Sequence, residues 1–304
     1  MEPSTLWKSI INKHFDNIDS GVLTNFRSPG GLNSRLASFE PISNDSRYFK
    51  TLLYSIAIGK TDHFFDLYSK LRGVDLGNPL FITIRDLNIN IDHLLAVDEF
   101  IFLEENLDFT SISSVLEIGG GFGRTCQAIL SFEDNIDTYT IVDLPQVLNL
   151  SKLYLQQVIP DLIHKVIFQD ATLINQICTT DLIINVDSFQ EMTPDVIEYY
   201  FENFVNHSKF FYCKNPIGKY LPESVNITPN SHIDQKSVFQ LGYCQNIVDI
   251  FNDVSLKEAR KNYLSKYAPK VKHNDNPIFK LVHHESLEII PYYHHALWHR
   301  INVD

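Results

Sequence analysis

Between Ser113 and Cys213 the chain alternates between two textures. Short runs of apolar and β-branched residues fall at 114–118, 138–143, 165–169, 181–186 and 209–213, and between them apolar residues recur at helical spacing over 122–132, 145–159 and 194–206. Apolar strands separated by helices predict an α/β fold: a parallel sheet with helices on both faces. Earlier in the chain, residues 46–74 carry apolar positions at helical spacing and end near Gly73. A short extended piece is expected at 80–84, then a helix capped by Asn90 or Asp92, with Leu94, Leu95, Val97, Phe100 and Phe102 as its apolar surface. Residues 215–252 are weakly periodic and contain three prolines, which predicts a long loop. Such loops inside compact domains often cover a substrate. A helix is expected over 253–269, and a closing strand pair at 287–290 and 295–301 joined through "PYY". No linker rich in Gly, Ser or Pro divides the chain, so residues 1–110 are expected to form a mainly helical cap on a sheet domain of residues 111–304, with a lid-like insertion around 215–252.

The most informative local stretch is "SVLEIGGGFGR" (114–124). An apolar strand runs into Glu117, and four glycines follow within five positions (Gly119, Gly120, Gly121 and Gly123) before the next helix opens. A turn of this kind lets backbone N–H groups approach a ligand closely. A dinucleotide fingerprint would have glycine where Arg124 stands, and a P-loop would continue with Gly-Lys-Ser/Thr, which is absent here. The third pattern, E-x-G-x-G-x-G, is met by Glu117, Gly119, Gly121 and Gly123, and is that of class I S-adenosylmethionine (SAM) methyltransferases. Electrostatics favour it. A carboxylate beside the turn would repel a pyrophosphate but complements the ammonium and sulfonium of SAM. The glycines leave room for the cofactor's carboxylate and ribose.

Two more acids extend this reading. The next strand ends in Asp143, 24 positions after Gly119, where a carboxylate can accept both ribose hydroxyls. The one after ends in Asp170, placed to receive an adenine amino group, with Ala171 leaving room for the ring. Leu144 and Asn185 complete the set of cofactor-binding candidates.

Composition narrows the field further. The formal charge is −12 with no long basic run, which argues against nucleic acid and anionic membranes as partners. The cysteines Cys126, Cys178, Cys213 and Cys244 are widely spaced without CxxC, as expected for reduced thiols in the cytoplasm. Neither a basic-then-apolar leader nor a membrane-length apolar run is present.

On "VLEIGGGFGR", "IVDLPQVL" (141–148) and "NVDSFQEMTPDVIEYYF" (185–201), the chain resembles the sugar O-methyltransferases of bacterial surface-polysaccharide gene clusters. The resemblance spans about residues 80–213. It implies a Rossmann-like class I methyltransferase sheet, mostly parallel with the last strand antiparallel. It also implies SAM as methyl donor and a sugar, nucleotide-sugar or glycan hydroxyl as acceptor. The N-terminal helical region is compatible with a homodimer.

Methyl transfer from a sulfonium needs alignment of the acceptor and a group to take its proton. The ligand side of an open α/β sheet is the carboxyl end of its strands, where "NVDSFQEM" stands. Glu191 and Asp187 are the candidate bases there, and Gln190 a candidate hydrogen-bonding partner of the acceptor. The structural alternative is that Thr193 caps the helix opening at Pro194, with Glu191 merely near its positive end. His232, in the expected lid, is a rival base. Tyr220 and Lys214 are further acceptor-binding candidates, through ring stacking and through a phosphate. Adjacent histidines on an extended strand, as in "HHE" and "YYHHALWHR", point to opposite faces, so no metal is expected. A phenolic acceptor, a catalytically inactive SAM-binding protein and an NAD(P) dehydrogenase remain the alternatives.

Overall fold

The computed structural model describes residues 45–173, 179–221, 238–274 and 276–301. They group into two compact units, residues 45–60 with 78–91, and residues 61–77 with 92–301. The helices expected before residue 110 are thus shared between the units.

The first unit holds helix α1 (Asp45–Ala57) and a hairpin of β1 (Phe81–Ile84) and β2 (Leu87–Asn90). Sequence patterning predicts only the first of these strands. The turn joining them is Arg85–Asp86, both at positive φ (50° and 62°), the type I′ geometry that matches strand twist. That turn is usually signalled by Asn-Gly, and neither residue is present here. Lys50 lies 5.5 Å from the ring centre of Phe81, which links helix and hairpin.

The second unit contains α2 (Asp62–Lys70), capped by Thr61 accepting from the Phe64 N–H, and α3 (Ile91–Asn106). His93, Leu94, Val97, Glu99, Phe100 and Phe102 of α3 are all buried. A helix buried around most of its circumference loses the one-sided stripe by which surface helices are read.

The sheet is built from β3 (Ser114–Ile118), β4 (Thr138–Asp143), β5 (Val166–Asp170), β6 (Leu182–Val186), β7 (Phe210–Pro216), β10 (Phe279–Ser286) and β11 (Tyr293–Arg300). A small antiparallel ladder, β8 (Lys272–His273) with β9 (Asn276–Pro277), precedes the last two in the chain. The sheet's seven strands run in the order β10-β11-β7-β6-β3-β4-β5. Strands β3 to β7 pair in parallel, and β11 is antiparallel to both neighbours, β7 and β10. The architecture is therefore the mostly parallel Rossmann-like sheet with a reversed last strand. Helices α4 (Arg124–Phe132), α5 (Pro145–Val158), α6 (Pro194–Asn203) and α7 (Asp253–Tyr267) connect or cover the strands. Proline opens both α5 and α6, where its missing N–H costs no hydrogen bond.

On one face Leu116, Ile118, Ile183, Phe211 and Trp298 pack with Phe189, Phe201, Tyr263 and Tyr267 in a single apolar cluster. Elsewhere in the unit, Phe100 of α3 packs edge-on to Phe132 of α4 at 4.8 Å, and Phe102 lies 5.5 Å from Tyr212 of β7. All residues of β6 and β7 are buried, as befits central strands.

The closing pair differs from expectation. Its first strand is Phe279–Ser286, not 287–290, which instead belongs to the connection into β11. β10 is an edge strand with a bulge between Leu281 and His283, and most of its residues are exposed. An edge strand needs no apolar alternation to be held, so its pattern is faint. Within the expected lid, residues 222–237 lie outside the described residues. The flanking segments are joined by a parallel bridge between Lys219 and Ile247, with the Lys219 N–H donating to Asn246 O at 2.8 Å and the Val248 N–H to Lys219 O at 2.7 Å. Among the described residues no helix is long and apolar enough to cross a membrane.

Candidate active site

Strands β3, β4 and β6 end side by side, and the glycine turn rises from the first of them. Gly119, Gly121 and Gly123 all adopt positive φ (73°, 56° and 98°), so the backbone path itself selects glycine. The space around them differs. A Cβ on Gly119 would lie 2.2 Å from Ser188 Oγ, whereas one on Gly121 would meet nothing within 4 Å. The turn is pinned by the Gly119 N–H donating to Val142 O (2.8 Å), the Gly121 N–H to Asp143 Oδ2 (3.0 Å) and Ser151 Oγ–H to Gly121 O (2.5 Å). Gly123 then caps α4 in a left-handed conformation.

Asp143 couples the second strand to this turn. Besides Gly121 it accepts from the Leu144 N–H at 2.7 Å, and Leu144 itself is 54% exposed beside it. Asp170 is the register partner of Asp143 on β5, and the Ala171 N–H donates to Asp143 O at 2.9 Å. One oxygen of Asp170 is engaged by the Thr172 N–H and hydroxyl, at 2.8 and 2.7 Å. The structure thus gathers Gly121, Asp143, Leu144, Asp170 and Ala171 at neighbouring strand ends.

Two of the expected cofactor contacts turn inward instead. Glu117 is 1% exposed and lies beneath Gly120, accepting from Tyr139 OH at 2.9 Å. Burial pushes its carboxyl up to about 7, against the opposing pull of Tyr139, Thr125 and Arg124. It supports the turn from below and offers no exposed oxygen to a ligand, which corrects the expected direct charge pairing. Asn185 is fully buried, donating to Ile118 O (3.0 Å) and Ser188 Oγ (2.6 Å) and accepting from Asn215 Nδ2 (2.8 Å). Its role is to fix the crossing of β3, β6 and β7.

Lys214 is corrected more sharply. It is 3% exposed and forms a buried ion pair with Glu99 of α3, so it cannot meet a substrate phosphate. Glu99 also accepts a two-pronged bond from Arg124, at 3.0 and 2.9 Å. Burial alone would raise the Glu99 carboxyl, but the two cations hold it down at about 2. Arg124 thereby clamps the start of α4, and with it the glycine turn, onto α3. The residue that breaks the dinucleotide fingerprint has a structural task that the one-dimensional pattern could not reveal.

Past β6 the chain enters a short 3-10 helix, Ser188–Glu191, through Asp187, a non-glycine residue at φ 67°. The Asp187 N–H donates to Lys214 O at 2.8 Å, and Asp187 Oδ1 accepts from Gln190 Nε2 and from Tyr293 OH (2.9 Å). Gln190 Nε2 also reaches Tyr293 OH at 3.3 Å. The Glu191 side chain makes no hydrogen bond among the described residues. Partial burial and the charges of Asp187 and Asp143 raise its carboxyl above the usual range, with Lys219 opposing. Lys219 in turn donates to Gln190 O at 3.3 Å. Thr193 is the N-cap residue of α6 by position but makes no capping bond with its side chain. Half-buried Tyr220 packs edge-on to Tyr292, 5.6 Å between ring centres. His232 lies outside the described residues. His295 is buried against Tyr212 OH at 2.9 Å and pushed down to about 3 by burial, and His294 bonds His284 at 2.9 Å. Tyr293 is the component that sequence reasoning missed.

A scan of protein-family models finds none that matches the chain, and a search of curated proteins finds no match either. Among solved structures, the chain is similar to the methyltransferase domain of bacterial CtHen1-C, at 11% identity over 69% of this chain and 98% of that one, with a TM-score of 0.46. It is similar to PigF with SAH, at 14% identity over 69% and 58% of the two chains, with a TM-score of 0.43. The same holds for an O-methyltransferase family protein from Burkholderia thailandensis, at 11% identity over 70% and 59%, with a TM-score of 0.42. The match thus spans less than two thirds of the latter two proteins.

Proposed function

We propose that this chain is a SAM-dependent O-methyltransferase that methylates a hydroxyl of a sugar, nucleotide-sugar or glycan, with Glu191 as general base. The observation that carries the reading is the convergence of the Gly121–Asp143 hydrogen bond and the unpaired Glu191 carboxylate at the same end of the sheet.

The residues present fit SAM. The left-handed glycine turn leaves open space at Gly121, and Asp143 and Asp170 stand at adjacent strand ends to hold ribose and adenine, with Leu144 exposed beside them. When bound, SAM supplies an already activated methyl group, so the protein's own tasks are alignment and proton removal. Glu191 would take the acceptor's hydroxyl proton on a carboxylate oxygen as the hydroxyl oxygen gained the methyl group and the donor's methyl–sulfur bond broke to leave a neutral thioether. Its raised proton affinity suits that work near neutral pH better than an ordinary glutamate. Asp187, occupied by Tyr293 and Gln190, orients the loop, and Gln190 is placed to bond an acceptor hydroxyl through its amide oxygen. The Tyr220–Tyr292 pair near these polar groups suits a sugar ring, which offers C–H faces and hydroxyls together.

Calorimetric titration with SAM, for the wild type and Asp143→Ala, tests the cofactor reading. Saturable binding that the variant weakens by about tenfold or more supports it. Absence of binding by the folded wild type overturns it. Methyl transfer to a panel of sugars and nucleotide-sugars, with phenols in parallel, then tests the acceptor class.

A further inference from the structure

At the opposite end of the sheet from the glycine turn lies an open cleft of about 940 Å³. The starts of β3, β6 and β7 and the end of β11 form its floor, and β8 contributes to its wall. β3 is five residues long, which separates cleft and turn by about 16 Å along the sheet.

The cleft carries cations in a chain that is acidic as a whole. Lys209, Lys272 and Arg300 line it, each from a different element, and none makes an ion pair among the described residues. In a chain with 25 Lys and Arg against 37 Asp and Glu, three cations and one carboxylate around a single concavity give it a net positive lining. The acid lining the cleft is Asp181, whose Oδ2 already receives the N–H and hydroxyl of both Ser113 and Ser114, at 2.9 to 3.1 Å. The other acid that feels Lys209, Asp108, accepts from the Thr110 N–H and hydroxyl. Lys209 itself reaches Ser111 O at only 3.3 Å.

We infer that this cleft binds the phosphoryl group of a small phosphorylated molecule, at a site separate from the proposed cofactor end. Cations from three elements lining one concavity favour a compact anion that carries more than one negative charge, as a phosphoryl group does. The net charge of −12 on the whole chain disfavours a long polyanion and admits a compact one.

The test is calorimetric titration of the full chain with inorganic pyrophosphate at fixed ionic strength, repeated with Arg300→Gln and Lys272→Gln and with SAM present. The expected result is one saturable site per chain, weakened about tenfold or more by each substitution and unaffected by SAM, with the variants melting at the wild-type temperature. Four results would overturn the inference: no binding, equal binding by wild type and variants, displacement by SAM, or equal affinity for a dicarboxylate. Apart from displacement by SAM, none of these outcomes bears on whether SAM binds at the glycine turn.

Discussion

Tyr293 donates a 2.9 Å hydrogen bond to Asp187 across a separation of 106 positions in the chain. The acceptor is a non-glycine residue in the left-handed region, a conformation that persists only when its surroundings enforce it. Here they do, through the Asp187 backbone bond to Lys214 and the two side-chain bonds to its carboxylate. β11 thus secures the loop that carries Gln190 and Glu191.

Removing that hydroxyl tests the arrangement. Tyr293→Phe keeps the ring and its packing and is expected to leave SAM affinity unchanged. With an acceptor identified, its kcat falls or its acceptor KM rises by about tenfold, the scale of one lost hydrogen bond to a charged group. Equal loss of SAM binding would show that the tyrosine merely holds the fold.

The proton affinity of Glu191 has a readable sign. Partial burial raises it most and the charges of Asp187 and Asp143 add to that, so Asp187→Asn should lower it. NMR titration of the Glu191 side-chain carboxyl should show a midpoint above the ordinary glutamate value in the wild type and a lower one in the variant. In turnover, the activity lost on acidification should reappear at lower pH in Asp187→Asn. Glu191→Gln should cut kcat by about 100-fold or more while SAM still binds.

The glycines should separate by their surroundings. Gly119→Ala forces a Cβ to within 2.3 Å of both Ser188 Oγ and its Cβ at a left-handed φ, so the variant is expected to unfold or to melt far below wild type. Gly121→Ala has room for its methyl and pays only the left-handed conformation, about 1–2 kcal/mol. It should fold and lose SAM binding. Urea denaturation alongside SAM titration distinguishes the two cases.

Glu117 predicts a pH dependence of stability. Its carboxyl titrates at about 7 in the fold against 4.5 when unperturbed. A raised carboxyl favours the folded state below the unfolded value, and that advantage is lost as pH rises through about 7. Glu117→Gln can still accept from Tyr139 without burying a charge. Its unfolding free energy relative to wild type should therefore grow by about 3 kcal/mol between about pH 4 and about pH 8. A flat difference across that range would contradict the buried position.

Local pattern made the strand–turn–helix units from Ser114 to Pro216 legible, because each consists of neighbouring residues obeying one periodicity. β3 and β4 fall where the alternation places them, and Asp143 and Asp170 stand at strand ends as expected. What pattern could not supply is pairing at a distance. The ion pair of Lys214 with Glu99 spans 115 positions and turned a supposed phosphate ligand into a buried strut. Hairpin β1–β2 was half visible because its turn uses Arg-Asp, and β10 was displaced because an exposed edge carries little apolar signal.

The reversed strand has a consequence for the order in which the molecule can be made. β11 is inserted between β7 and β10, so the edge of β7 stays unpaired until the ribosome has delivered residues some eighty positions later. Tyr293 belongs to that late strand. The glycine turn and its acids can form on the nascent chain well before it, but the loop bearing Glu191 gains its last support only then. A chain halted before β11 would carry the proposed cofactor end and lack the last support of the loop that bears the proposed base.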